Sequence, residues 1–576
     1  MDLEQHRYDV LVIGAGGAGM RAAIAAAHTG ARTALVCRSL LGKAHTVMAE
    51  GGVAAALGNV EAADNWQVHF QDTMFGGKYL NNWRMAELHA KEAPDRVREL
   101  EQWGGVFDRT PERKMSQRAF GGHTHKRLVH IGDRTGLELI RTLQDKAVHS
   151  GIDVFMECTI TQLLKDGERV CGAFGYRRAT GEFFAFAGTA VVLATGGAGK
   201  CWRTTSNSWE CMGDGQALAY EAGAELVDME FVQFHPTGMV WPPGVIGLLV
   251  TEAVRGEGGI LRNAEGERFM ERYDPKRLEL STRDVVARSI YTEVKEGRGT
   301  PHGGVFLDVT HLPAATVKTK LPSMYDQFLE LAGVDITHRP MEVGPTCHYF
   351  MGGIRVDAET GASNVPGLFA TGECSGGMNG ANRLGGNSLS DLLVFGRRAG
   401  EGAAREAASQ PAGAQFDDAQ LRDAAAEMTG FLSGPGSEDP YRLHAELQAM
   451  MQADCGIFRD EQGLTAAVAG LDGLERRAKN VRSPSSSTVY NPGWHLCRDL
   501  RNMLTVSRAV ALSARMRHES RGAHSRLDFP AYDEYWSEHN IVISNTADGM
   551  ALEARPVVTS AALAELVEQR KELERR

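Results

Sequence analysis

At 576 residues and 43% hydrophobic content the chain can bury several cores, and at about 150 residues per domain roughly three or four domains are expected. A formal net charge of -11 and a pI near 6.0 exclude nucleic acid as a main partner, since a phosphate-binding surface needs a basic excess, so any bound anion must meet a local cluster of cations. Nine cysteines without a C-x-x-C pair exclude a short-loop disulfide framework and a four-thiolate cluster at local spacings, as in a reducing compartment, and no metal site is expected.

Met1-Asp2-Leu3-Glu4 leads into a strand without a basic n-region, an apolar stretch or an Arg-rich presequence, so no export signal is expected. Tyr8 to Ile13 reads as a buried strand and Gly14-Ala15-Gly16-Gly17-Ala18-Gly19 follows. The Ala-rich stretch to His28 reads as a helix ended by Gly30, and Thr33 to Val36 as the next strand. This is a β-α-β start with G-x-G-x-x-G at its turn. Gly14 permits the tight turn, Gly16 lets a pyrophosphate approach the backbone, and Gly19 allows close helix packing. The helix N-terminus then offers amides and dipole to the phosphates. Glycines kept only for packing are the bland alternative, outweighed by the matching strand and helix. The acidic residue expected on the ribose is replaced by Cys37-Arg38-Ser39, which leaves nicotinamide and flavin open; Arg38 even admits a 2′-phosphate.

Two more Gly-rich strand ends, Val191-Val192-Leu193-Ala194-Thr195-Gly196-Gly197-Ala198-Gly199 and Gly367-Leu368-Phe369-Ala370-Thr371-Gly372-Glu373, favour flavin. Three such turns in one chain resemble the large FAD-binding fold, where distant segments converge on an extended dinucleotide. The expected class is α/β: a discontinuous Rossmann-like FAD-binding domain (1–234 and 346–408) with an inserted α+β capping domain (235–345). A helical domain (409–514) and a small C-terminal domain (515–576) follow. Met239 to Val250, the longest apolar run, is broken by Pro242 and Pro243, so no membrane span is expected. Ser483 to Ser487 reads as a polar loop, and the charged helix Leu563 to Arg576 as a solvated face.

A long ordered set of motifs then resembles the flavoprotein subunits of succinate dehydrogenase and fumarate reductase across nearly the whole chain. It includes Ala44-His45-Thr46 before Glu50-Gly51-Gly52, Gln233-Phe234-His235-Pro236-Thr237-Gly238, Thr251-Glu252 and Arg255-Gly256-Glu257-Gly258-Gly259. It continues through Gly266-Glu267-Arg268-Phe269-Met270, Arg283-Asp284-Val285-Val286-Ala287-Arg288, Pro345-Thr346-Cys347-His348-Tyr349, Asn382-Arg383-Leu384-Gly385-Gly386-Asn387-Ser388-Leu389 and Glu519-Ser520-Arg521-Gly522-Ala523-His524.

The resemblance implies that His45 bonds covalently to the flavin 8α-methyl group, making the isoalloxazine a stronger acceptor; a loop histidine bonding only to backbone is the alternative. It also implies FAD contacts from Gly14, Gly16, Gly17, Gly19, Cys37, Arg38, Thr46, Gly51, Gly52, Asp214, Glu373, Ser388 and Leu389. His235, Thr251, His348 and Arg383 match the family's substrate ligands, as a dicarboxylate leaving water requires. Arg283 matches the catalytic arginine, whose guanidinium must be tuned by its neighbours to exchange a proton, and Glu252 its relay rather than a plain salt bridge. Arg255 and Arg288 are expected to form structural ion pairs.

The implied partners are succinate or fumarate, an iron–sulfur subunit, and membrane anchor subunits with a quinone site, placing the chain peripherally on the cytoplasmic face of the cell membrane. The alternatives are fumarate reduction, L-aspartate oxidase, a free soluble fumarate reductase and a non-catalytic dinucleotide-binding assembly protein. The histidine at 45 opposes the oxidase, and no extra redox domain is seen. Ser39-Leu40-Leu41-Gly42-Lys43 departs from the Pro-Thr-Arg-Ser form of many aerobic dehydrogenases, which leaves the subfamily open.

Overall fold

In the computed structural model, which describes residues 3–410 and 416–575, the apolar opening run becomes the strand Glu4–Ile13 within a seven-stranded sheet. Thr33–Val36 and Phe183–Leu193 flank it in parallel. Val10, Leu11 and Val12 are fully buried, as a continuous apolar run requires when both sheet faces are covered. Phe183–Leu193 divides its partners: its first half pairs antiparallel with Arg169–Arg177, and its end pairs parallel with Leu368–Ala370. The chain thus leaves this first unit and returns to the same sheet. The helices Gly17–His28 and Asn387–Ser409 then pack tightly across it, because a Cβ at Gly400 would meet the Ala22 carbonyl at 2.1 Å.

Between departure and return, Val232–Met239, Met341–Phe350, Val305–Asp308 and Ile260–Arg262 form a four-stranded antiparallel sheet. The inserted unit has its own core, including Leu261, Phe269, Ile290, Leu307 and Phe328. Its two long strands carry His235 and His348, and the register shifts at Gln233/Phe234 and His235/Gly238 re-aim side chains there.

Four helices follow: Asp418–Ser433, Pro440–Asp454, Glu461–Ala478 and Pro492–Met516. Each opens on an Asp or Asn whose side chain accepts a first-turn amide. The hairpin His539–Thr546 and Gly549–Pro556 joins Leu226–Val227 and Gly353–Ile354 in one sheet, so the C-terminal segment completes a sheet begun by strands on either side of the inserted unit. The terminal helix Ala564–Arg575 corrects the expectation of a solvated face. Leu563 and Val567 are buried against Phe70, Met74, Ala86 and Ala90, and Arg570 reaches Asp72 at 3.3 Å. Leu563, Leu566 and Val567 form a narrow apolar stripe at helical spacing that the surrounding charges conceal. Met1, Asp2 and Arg576 lie outside the described residues. No helix among the described residues is long and apolar enough to cross a membrane.

Candidate active site

One continuous cavity runs from the Gly14–Gly17 turn, past His45, to the mouth of the inserted unit. Gly14, Gly16, Gly17, Cys37, Arg38, His45, Thr46, Gly51, Gly52, Asp214, Glu373, Ser388 and Leu389 line its long reach; His235, Thr251, Glu252, Arg283, His348 and Arg383 line its inner end. Gly19 lies apart from the lining. A Cβ there would stand 1.7 Å from the Gly14 carbonyl, so its part is the close helix–strand contact.

The long reach has the shape and polarity of a dinucleotide cradle. Gly14 adopts φ +107°, and a Cβ on it would strike the Ala194 carbonyl at 2.3 Å. Gly16 begins the helix without a side chain of its own to cap it; the Gly17 N–H donates to Thr46 Oγ1 at 3.2 Å, and the first-turn amides after it meet no side-chain cap. Arg38 is clamped between Asp214, at 2.8 Å, and Asp499, which hold its guanidinium charged against the opposing cost of burial. The two carboxylates remove the excess charge a 2′-phosphate would need. Burial pushes the Cys37 thiol up to about 12, so it stays neutral. Burial also lifts Glu373 to about 7 although the Phe350 N–H donates to it at 3.0 Å.

His45 starts a short 3-10 turn, His45–Met48. The Ser208 N–H donates to its Nδ1 at 3.3 Å, and Asn207 Nδ2 lies 3.4 Å from Nε2. Burial, helped by Lys200 and Arg383, presses the imidazole down to about 4, so it is neutral at neutral pH. Buried Glu50 Oε2, Thr371 Oγ1 and Arg383 Nε border the cavity without hydrogen-bond partners among the described residues. FAD fits this donor and acceptor set: its phosphates match the uncapped amides, and its ribose and isoalloxazine the unpartnered polar atoms.

At the inner end the charges are linked. Glu252 Oε2 accepts from Arg283 Nε at 2.8 Å and stands 3.6 Å from Arg255 Nη2, while Oε1 accepts from the Gly121 N–H at 2.9 Å. Burial drives Glu252 upward, but Arg283 and Arg255 outweigh it and hold the group below the usual range, as a carboxylate. Gln233 Oε1 accepts from Arg283 Nη1 at 3.2 Å and from Arg383 Nη2 at 3.0 Å. Three guanidiniums against one carboxylate leave this cluster two positive charges in excess. Burial, then the charge of Arg283, lowers Arg383 to about 9, and the Tyr349 ring lies 4.1 Å from its guanidinium carbon.

Two imidazoles complete the end, with centroids 5.1 Å apart. His235 Nδ1 donates to the Thr237 carbonyl at 2.9 Å, and His348 Nδ1 pairs with Ser206 Oγ at 2.8 Å. Burial holds both well below the ordinary histidine value; Arg283 adds to it at His235, and His235 then Arg283 at His348. Each is therefore neutral.

Sequence reasoning misses Gln233, Thr205 to Ser208 and Asp499. Gln233 stands inside one of the quoted motifs, so adjacency to His235 is an available signal. Thr205 to Ser208 bind Cys347, His348 and His45 together with no local signature. The ion pair expected of Arg255 forms with Glu252, which brings the arginine into the charge cluster. Arg288 pairs with Asp284 at 3.1 Å and donates to the Gly522 carbonyl, outside the cavity lining.

Residues 9–389 match the family described as FAD binding domain, and residues 444–572 the family described as Fumarate reductase flavoprotein C-term. The chain is 47% identical to a subunit of the Fumarate reductase (CoM/CoB) of Methanothermobacter marburgensis, over 93% of the chain and 97% of that protein. It is 37% identical to the succinate dehydrogenase flavoprotein subunit of Rickettsia bellii, over 96% and 95%. The solved Mycobacterium smegmatis Sdh1 in complex with UQ1 superposes with a TM-score of 0.89 at 55% identity, covering 99% of this chain and 98% of that one.

Proposed function

The chain belongs to the flavoprotein subunits of succinate dehydrogenases and fumarate reductases, and on that premise we propose that it oxidises succinate to fumarate with FAD bound covalently through His45. The observation that carries this is the pair of excess positive charges beside the dinucleotide cradle, which a dicarboxylate dianion balances. Bound FAD supplies the hydride acceptor.

The residues divide the remaining work. Arg383 grips one carboxylate bidentately, and Thr251, His235 and His348 hold the other, turning it out of the plane of the forming double bond. Arg283 takes the proton from the carbon next to the one that loses hydride. Because Glu252 touches Arg283 Nε at 2.8 Å, the guanidinium passes one proton to that carboxylate as it accepts one from carbon, so it need not rest uncharged. Arg255, 3.6 Å from the same oxygen, stabilises the carboxylate between turnovers.

Electrons then leave singly to a separate iron–sulfur subunit docked to membrane anchors with a quinone site, at the cytoplasmic face of the membrane. Relatives named as subunits, and a related structure solved with UQ1, support that partner set. Fumarate reduction is the second reading, favoured by the name of the Methanothermobacter relative. Purified protein should reduce an artificial dye with succinate, with malonate competing, and the ratio of this rate to dye-driven fumarate reduction assigns the direction. Inertness toward all four-carbon dicarboxylates, or indifference to malonate, would overturn the assignment.

A further inference from the structure

We propose that Gln233 is a positioning residue that holds Arg283 and Arg383 side by side through one neutral oxygen, fixing the proton-transfer group relative to the carboxylate anchor. The inference rests on the dicarboxylate reading above and adds what sets the spacing of its two arginines.

Gln233 is fully buried, at a register shift of the strand Val232–Met239. All four hydrogen-bonding positions of its amide are used. Oε1 accepts from Arg283 Nη1 at 3.2 Å and Arg383 Nη2 at 3.0 Å; Nε2 donates to Asn382 Oδ1 at 2.7 Å and to the Arg383 carbonyl at 2.8 Å. The amide cannot turn over, because both partners of Nε2 are acceptors. Asn382 is itself oriented, donating from Nδ2 to Asp284 Oδ1 at 2.8 Å. A line of directed bonds thus runs from the Asp284 carboxylate through two amides to an oxygen shared by two cations.

Neutrality matters as much as geometry. Two guanidiniums drawn to one oxygen repel each other, and a carboxylate in place of the amide would relieve that repulsion more strongly. It would also leave the cluster only one positive charge in excess, too few for a dianion. The amide therefore brings the cations together and keeps their field for the substrate. Gln233→Glu and Gln233→Met weigh these contributions against each other, since the first keeps an oxygen on both arginines, adds a negative charge and gives up the two bonds donated by Nε2, while the second adds no charge and removes all four bonds.

The experiment uses both variants with their FAD content measured. It reads the malonate dissociation constant from the flavin difference spectrum, and kcat and KM for succinate. Gln233→Glu should weaken malonate by about tenfold or more, one charge of the cluster being cancelled. Gln233→Met should bind malonate near the native level while kcat falls by about 100-fold, the scale of a misplacement near 1 Å. Native malonate affinity in Gln233→Glu together with native kcat in Gln233→Met overturns the proposal. If either variant loses FAD, Asn382→Ala frees the amide while keeping Gln233; a kcat loss with native malonate affinity supports the proposal, and a native kcat overturns it. Failure of the underlying dicarboxylate reading would show separately, as native protein that neither binds malonate nor oxidises succinate.

Discussion

Glu252→Gln exchanges one oxygen for an amide nitrogen and separates binding from proton transfer. The glutamine can keep its oxygen toward the Gly121 N–H, which Glu252 now holds at 2.9 Å, so the neighbouring loop stays in place. The other arm then aims an NH2 at Arg283 and Arg255, where the carboxylate oxygen stood 2.8 and 3.6 Å away. With an effective dielectric of about 20, the two lost attractions amount to ~6 and ~5 kcal/mol before desolvation. Relief of carboxylate desolvation offsets part of that, and breaking a buried pair from one side costs about 3–5 kcal/mol in stability. The melting temperature should fall. Dicarboxylate binding should survive, because the cluster gains a positive charge in excess. Turnover should drop by about 10²–10⁴-fold, the contribution of a positioned acid–base group, since the guanidinium has lost the carboxylate that receives its proton. Dye-coupled succinate oxidation, malonate titration of the flavin spectrum and a thermal melt give the three quantities. Turnover within about threefold of native, or malonate affinity lost in step with turnover, would remove Glu252 from the relay.

Two further outcomes test the cofactor and the imidazoles. Acid-precipitated native protein should carry flavin fluorescence on a denaturing gel, and His45→Ser should lose it while the native-state preparation stays yellow; flavin released from native protein would refute the tether. Dianion binding should tighten as pH falls. His235 and His348 are held neutral in the free site by burial and the arginine charges, and a bound dianion raises their proton affinity. Groups with a higher pKa in the complex take up protons on binding, so the malonate dissociation constant should rise with pH from the acid side of neutrality, by up to ~10-fold per unit for one proton, and level off once the rings of the complex have also lost their protons. A constant that does not change with pH would show that neither ring titrates with the ligand.

What can be read from the sequence follows from how far each interaction reaches. Gly14, Gly16 and Gly19 declare themselves because a strand, a turn and a helix are contiguous. His235, Thr251, Arg283, His348 and Arg383 each lie within an ordered motif. The clamp of Asp499 on Arg38 spans 461 positions, and the tie of Ser208 to His45 spans 163; neither leaves a local pattern. The terminal helix misleads for the opposite reason, its apolar stripe being narrow and its charges abundant. Gln233 is the instructive case, for its motif is visible and its chemistry is not. An amide between a strand's apolar residues looks like a packing residue until two arginines from distant segments meet on its oxygen.

The charge of the site raises the same point at a larger scale. A chain of net charge -11 builds a local excess of two positive charges because its carboxylates are held elsewhere. Asp284 is turned to Arg288 and Asn382, and Asp214 and Asp499 are taken by Arg38. Glu252 alone among these carboxylates enters the inner cluster, shared between Arg283 and Arg255. The proposed selectivity for a dianion therefore depends on where the carboxylates are kept out as much as on which arginines are brought in, and a neutral amide at 233 is one of the places where a carboxylate is kept out.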